Sequence, residues 1–206
     1  MFASSREGEE ADFFKQICAL KSALRQQECA LGAMNSVAPA FKVLVVPRHP
    51  QRFDGVQALA AQHGLSVSRR SSWSSGPLSN EDALQADVWL GDSLGEMALY
   101  YAMSDVALLG GSFAPLGGQN LIEAAACACP VVMGPHTFNF QEAAELAEAI
   151  GAALRVADLQ HGVQAASALV NNAAAQAAAV AAGLAFAERN RGATAKTVAA
   201  LAPFLD

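Results

Sequence analysis

Short apolar runs alternate with longer helical patterns along the whole chain, and this rhythm leaves few folds open. Phe2-Ala3-Ser4 reads as a strand stub, and Gly8-Glu9-Glu10 opens a helix that runs to about Leu31. Val43 to Val46 is a β-branched strand, and Arg52 to His63 is an amphipathic helix closed by Gly64. Further strands follow at Leu65 to Ser68, Val88 to Leu90, Val106 to Leu109, Pro130 to Met133 and Ala153 to Val156. Helices are expected from Leu94 to about Met103, after Gly117-Gly118, and from Phe140 to Ile150, the last capped by Asn139 with Ala143, Leu146, Ala147 and Ile150 as its apolar stripe. Arg69 to Ala86 is a long Ser/Gly/Pro-rich loop around Trp73, and residues 158–206 are Ala-rich helices broken near Asn190-Arg191-Gly192. Strand and helix alternating in this way imply βαβ units: a parallel sheet with helices on both faces, α/β in class, in one domain over residues 1–206.

Ligands of such sheets collect at the carboxyl ends of the strands, and the polar motifs fall there. Pro47-Arg48 follows one strand, Asp92-Ser93-Leu94-Gly95-Glu96 another, and Gly134 to Asn139 a third. The richest stretch is residues 106–123, where an apolar strand stops at Gly110-Gly111-Ser112, crosses a turn containing Pro115 and restarts at Gly117-Gly118-Gln119 as a helix. Glycines let backbone approach a ligand, and a helix start offers N–H groups to phosphate or carboxylate. Asn120 and Glu123 share one face of that helix, where the carboxylate could accept hydrogen bonds from a ribose diol; a capping pair explains the same spacing. Ser93 with Glu96, and Asn139 with Glu142, also read as capping boxes. Arg48, stiffened between Pro47 and Pro50, suits a bidentate clamp on an anion, against the alternative of a solvated surface arginine.

Composition narrows the partners. A net charge of -6 argues against nucleic acid, which calls for a basic face. No apolar stretch is long enough to span a bilayer, and the first residues are not a secretory signal. The four cysteines, Cys18, Cys29, Cys127 and Cys129, lack the spacing of a zinc site or a disulfide scaffold, so reduced, mostly buried thiols in a cytoplasmic protein are expected. His49 and His136 have no second ligand at a metal-binding spacing, so neither a metal nor a cofactor is expected.

Taken in order, Ser4 through Glu10, Val45-Val46-Pro47-Arg48-His49-Pro50-Gln51-Arg52-Phe53, Gly91 through Glu96, Gly110 through Phe113, Gly117 through Glu123 and Gly134 through Phe140 resemble the C-terminal half of 3-deoxy-D-manno-octulosonic acid (Kdo) transferases. The resemblance covers residues 3 to about 192. It implies the C-terminal, Rossmann-like half of a GT-B glycosyltransferase, the half that binds the donor CMP-Kdo. By motif it implies nucleotide contacts at Pro47, Arg48, Leu94, Gly95, Glu96, Asn120, Leu121, Ile122 and Glu123, with further donor contacts at Gly110, Gly111, Ser112 and Gln119. Arg48 would offset the phosphate charge and Glu123 would hold ribose hydroxyls, while N–H groups at Leu94 and Asn120 would meet the nucleotide or the Kdo carboxylate.

Three positions depart from the family pattern. Arg6 stands where many members have His, Gln119 where His commonly precedes the Asn, and Leu94 where Met is frequent. Gln119 keeps a hydrogen-bond donor but has no titratable ring, which counts against an acid role there. The family's catalytic glutamate and membrane anchor belong to an N-terminal, lipid A precursor-binding domain to which nothing here aligns. The expectation is therefore a donor-binding fragment, inactive alone and cytoplasmic as a fragment, whose parent works at the cytoplasmic face of a Gram-negative inner membrane. Two alternatives stand beside it: the corresponding domain of a UDP-sugar transferase or epimerase, and a non-catalytic binding domain.

Overall fold

A computed structural model describes residues 1–30, 41–77 and 80–204, with side chains other than those of 28–30 and 193–196. The expected helix end near Leu31, the Cys29 side chain and residues 78–79 of the long loop lie outside that set. Seven strands, β1 (Phe2–Ser5), β2 (Val43–Pro47), β3 (Val67–Arg69), β4 (Val88–Leu90), β5 (Ala107–Leu109), β6 (Val131–Met133) and β7 (Ala153–Arg155), form one sheet in the order β3-β4-β2-β1-β5-β6-β7. Every pairing is parallel. From β1 the chain adds β2, lays β3 at the edge and returns β4 between them, then crosses back to build β5, β6 and β7 on the other side. The order therefore reverses between β1 and β5, and the carboxyl ends of the strands at such a reversal are where sheets of this kind hold ligands.

Strands covered on both faces read as continuous apolar runs, and every residue of β1, β2, β5 and β6 is buried. Alternate residues serve opposite faces. Phe2, Val43, Val45, Leu108 and Val132 pack with α1 (Glu10–Ala30), α2 (Phe53–Gln62) and α7 (Leu159–Val170), through Phe13, Phe14, Val56 and Val163 among others. On the other face Ala3, Ala107, Leu109, Val131 and Met133 pack against α4 (Met97–Ala102), α5 (Ile122–Ala126), α6 (Gln141–Ala149) and α8 (Ala173–Arg189). Here small residues set the spacing, and Gly183 of α8 lies so close to α5 that a Cβ on it would stand 3.7 Å from the Ala125 Cα.

Several local expectations are corrected. The segment from Arg69 to Ala86 is not all loop: Arg70–Ser72 forms a 3-10 turn, and Glu81–Gln85 is a helix, α3, capped by Asn80. Trp73 is buried, its Nε1 donating to Ser68 Oγ at 2.9 Å. Asn139 does not cap α6, because a 3-10 turn over Phe138–Phe140 intervenes and the Asn139 amide donates to the Leu116 carbonyl at 3.1 Å. Within α6, Ala144 and Ala147 are buried while Leu146 stays exposed, as does Ile150 at the helix end. The alanine-rich region breaks twice, at Asn171–Asn172, where α7 and α8 bend by 105°, and at Gly192, which has φ +82 and precedes α9 (Ala193–Leu201). No single described helix is long and apolar enough to cross a membrane. Cys18, Cys127 and Cys129 are free thiols; burial raises the pKa of Cys129 to about 11.

Candidate functional site at the strand ends

The floor of the candidate site is built where β1 meets β5. Ser4 takes a left-handed conformation, φ 54, and the β1–β2 register slips between Ala3 and Ser5. That bulge turns backbone toward both neighbours: the Gly110 N–H donates to the Ala3 carbonyl at 2.8 Å, and the Arg48 N–H to the Ser5 carbonyl at 3.0 Å. Strand and turn touch so closely that a Cβ on Gly110 would sit 2.4 Å from the Ser4 carbonyl oxygen. Ser112 is fully buried, and its hydroxyl donates to the Leu109 carbonyl while accepting the Gly134 N–H at 2.8 Å. Gly110 and Ser112 thus shape the floor and are engaged within the protein.

Glu9, at the start of the first helix, fixes the glycine loop. One carboxylate oxygen accepts the N–H groups of Gly111 at 2.8 Å and Arg6 at 3.0 Å. The other accepts those of Phe113 and Ala114, each at 3.2 Å. A buried carboxylate with four N–H partners resembles a bound anion more than an exposed helix cap.

Around this floor stand the side chains singled out by sequence. Arg48 is exposed, and its guanidinium has no partner among the described residues. Asn120 is not the N-cap of α5, which is Leu121 without a side-chain cap bond; Asn120 instead accepts the Ile122 N–H at 3.1 Å in a turn before the helix and donates its amide to Glu123 Oε1 at 3.1 Å. This pairing leaves Glu123 Oε2 free among the described residues, so it is compatible with ligand binding. Tyr101 of α4 feels both charges. Burial pushes its hydroxyl well above the ordinary range, Glu123 and the nearby cysteines add to the effect, and Arg48 opposes it.

Glu96 behaves differently from its capping reading. Its side chain accepts hydrogen bonds from the Ser93 and Tyr100 hydroxyls and from Arg70, at 2.8 Å for the arginine. The Ser93 hydrogen bond and Arg70 hold its pKa below the ordinary value against the opposing effect of burial. Both oxygens are engaged, so only its backbone can face a ligand. The helices themselves begin later than expected, at Met97 and Ile122, because Gly95 adopts φ +78 and the Asn120 side chain holds the turn before α5. They are also short, six and five residues, so the expected N–H groups at Leu94 and Asn120 belong to turns instead of helix starts. Leu94 is 78% exposed at the rim, whereas Leu121 is buried in the core.

Sequence reasoning missed two anchors of the site. Glu9 carried no assigned role, although an acid at a helix start beside a glycine loop is a usable signal. Asp92 follows β4 with a side chain 2% exposed, accepting from Arg69 Nε at 2.6 Å and from the Ser71 N–H at 2.8 Å. Among the described residues no group of three or more His, Cys, Asp or Glu is placed to hold a metal ion.

The parallel sheet and its strand-order reversal define a doubly wound, Rossmann-like α/β domain. Comparison with known proteins gives the family. The chain is 45% identical over 203 residues to the 3-deoxy-D-manno-octulosonic acid transferase of Bordetella pertussis, covering 98% of this chain and 44% of that protein. It is 36% identical over 169 residues to the Haemophilus influenzae enzyme of the same name, covering 82% of this chain and 38% of that one. Among solved structures, the C-terminal CMP-Kdo binding domain of WaaA from Acinetobacter baumannii superposes with a TM-score of 0.73 at 29% identity, over 89% of this chain and 85% of that domain. No family model matches. The chain belongs with the Kdo transferases and corresponds to their C-terminal domain, spanning less than half the length of those two relatives.

Proposed function

We propose that this chain is the donor half of a Kdo transferase, holding CMP-Kdo while Kdo passes to a lipid A precursor bound by a separate N-terminal domain. The observation that carries this reading is that Arg48, whose guanidinium has no partner among the described residues, and Glu123, with one carboxylate oxygen free among them, lie near enough to act on the same Tyr101 hydroxyl, after strands on either side of the strand-order reversal. Arg48 offsets the phosphate charge and Glu123 Oε2 accepts from ribose hydroxyls. Pro47, Leu94, Gly95, Glu96, Asn120, Leu121 and Ile122 shape the nucleotide pocket, largely through backbone. Gly111 and Gln119 face the sugar, with Gly110 and Ser112 beneath them.

As the glycosidic bond to the phosphate breaks, negative charge grows on departing CMP, and a guanidinium already in place stabilises it without reorganisation. The charge is met by arginine, so neither metal nor cofactor takes part. The base that activates the acceptor hydroxyl comes from the other domain, so this chain alone is inactive. The parent enzyme works at the cytoplasmic face of the inner membrane, where donor and lipid acceptor meet.

Calorimetric titration with CMP and UMP, repeated on Arg48→Ala and Glu123→Ala, tests the reading. Binding that prefers CMP and weakens about tenfold or more in each variant supports it. No binding of CMP by folded protein overturns it.

A further inference from the structure

The carboxyl end of the sheet carries several arginines, and most are neutralised. Arg69 pairs with Asp54 and Asp92, Arg70 with Glu96, and Arg155 with Glu148. Arg6 and Arg48 differ: neither guanidinium has a partner among the described residues. They are also neighbours. Ser5 and Pro47 are register partners, and the Arg48 N–H donates to the Ser5 carbonyl, so the two arginines leave adjacent strand ends side by side.

The acids that could have served Arg6 are engaged elsewhere. Glu9 is saturated by backbone N–H groups, and Glu7 and Glu10 both face Arg52. Two like charges at adjacent strand ends repel, and the arrangement is stabilised when an anion meets each. Arg6 is half-buried and leans over the glycine loop. A Cβ built on Gly111 would lie 3.5 Å from Arg6 Cγ and 3.4 Å from Gln119 Nε2, so the arginine stem and the amide flank the same bare backbone. The Gln119 amide is itself unpartnered among the described residues. Glycine at 111, φ +72, keeps that gap open.

We infer that Arg6, with the Gln119 amide, is the specificity-determining clamp for the carboxylate of the donor's sugar acid, while Arg48 takes the phosphate. The inference rests on the donor-site reading above and deepens it. A nucleoside monophosphate ester of a keto sugar acid carries two anionic groups, and the candidate site offers two uncompensated guanidinium groups. A planar fork facing a carboxylate gives a bidentate, charge-assisted contact that neutral sugars on the same nucleotide cannot make. Arg6 therefore distinguishes a sugar acid from an ordinary hexose.

Titration of wild type, Arg6→Gln, Arg6→Lys and Gln119→Ala with CMP and with freshly prepared CMP-Kdo tests this, with thermal melts to verify folding. The Glu9 contacts to residue 6 run through backbone, so the substitutions leave that scaffold intact. The expected pattern is CMP affinity within about twofold of wild type in all three, and CMP-Kdo affinity about tenfold to a hundredfold weaker in Arg6→Gln. Arg6→Lys and Gln119→Ala should show smaller losses of the same selectivity. Equal loss of both ligands in Arg6→Gln places Arg6 on the phosphate and overturns the inference, as does unchanged CMP-Kdo binding. Wild type that binds CMP-Kdo no better than CMP overturns it while leaving the nucleotide site standing. Wild type that binds neither overturns the donor-site reading and this clamp together.

Discussion

Glu9 Oε2 accepts the Gly111 N–H at 2.8 Å across 102 positions of sequence. One carboxylate at the start of α1 thereby sets the path of a loop that belongs to β5. Replacing it by Gln presents N–H groups to N–H groups at a buried point. Glu9→Gln should lower unfolding free energy by about 2–3 kcal/mol, read by urea denaturation. A loss below about 0.5 kcal/mol would show that the loop holds its shape without the acid.

Glycines divide sharply by surroundings. A Cβ on Gly110 would enter the Ser4 carbonyl, whereas one on Gly55, within α2, meets nothing within 4 Å. Gly55→Ala should stabilise by about 0.5–1 kcal/mol. Gly110→Ala should destabilise by more than about 2 kcal/mol. Paired thermal melts decide it, and similar midpoints for the two variants would contradict this account.

Asp92 couples stability to acid. Burial raises its pKa, but the Ser71 hydrogen bonds and Arg69 outweigh burial and hold it below the ordinary 3.8. A lowered folded-state pKa contributes stability that is complete above the unfolded value and lost as pH falls through the folded one. Asp92→Asn should cost about 2 kcal/mol at neutral pH, and the gap to wild type should narrow below about pH 4. A gap independent of pH would rule out the carboxylate as its source.

Nucleotide binding through exposed Arg48 should weaken as sodium chloride is raised, because exposed charges are screened beyond a Debye length of about 10 Å at 0.1 M. EDTA should leave it unchanged. An affinity that collapses with chelator would point to a metal in donor binding.

Much of this was legible in the chain because burial on both faces forces continuous apolar strands. Val43 to Val46 and Val106 to Leu109 announce themselves, and the polar residues that follow them mark the site. What escaped was set by partners distant in sequence. Asp92 gains its role from Arg69 and Ser71, and Asn139 from the Leu116 carbonyl, neither of which a local window contains. Leu146 read as core because it shares an apolar spacing with Ala143 and Ala147, but the sheet lies on the side of α6 that carries Ala144 and Ala147. The Asn120–Glu123 pair shows the opposite limit, since its spacing fitted both capping and binding, and the helix starts a residue later, at a Leu121 cap, with the pair joined side chain to side chain instead.

The tight seam between Gly183 and Ala125 gives the alanine-rich helix α8 a purpose beyond covering the sheet. It acts as a shim. Its thickness determines how far α5 stands from the solvent side, and α5 carries Glu123 in its first turn. An alanine at position 183 would meet Ala125 at ordinary contact distance, but a bulkier residue would push the helix and shift the Glu123 carboxylate. A stretch of almost featureless composition thus works as a ruler for the site.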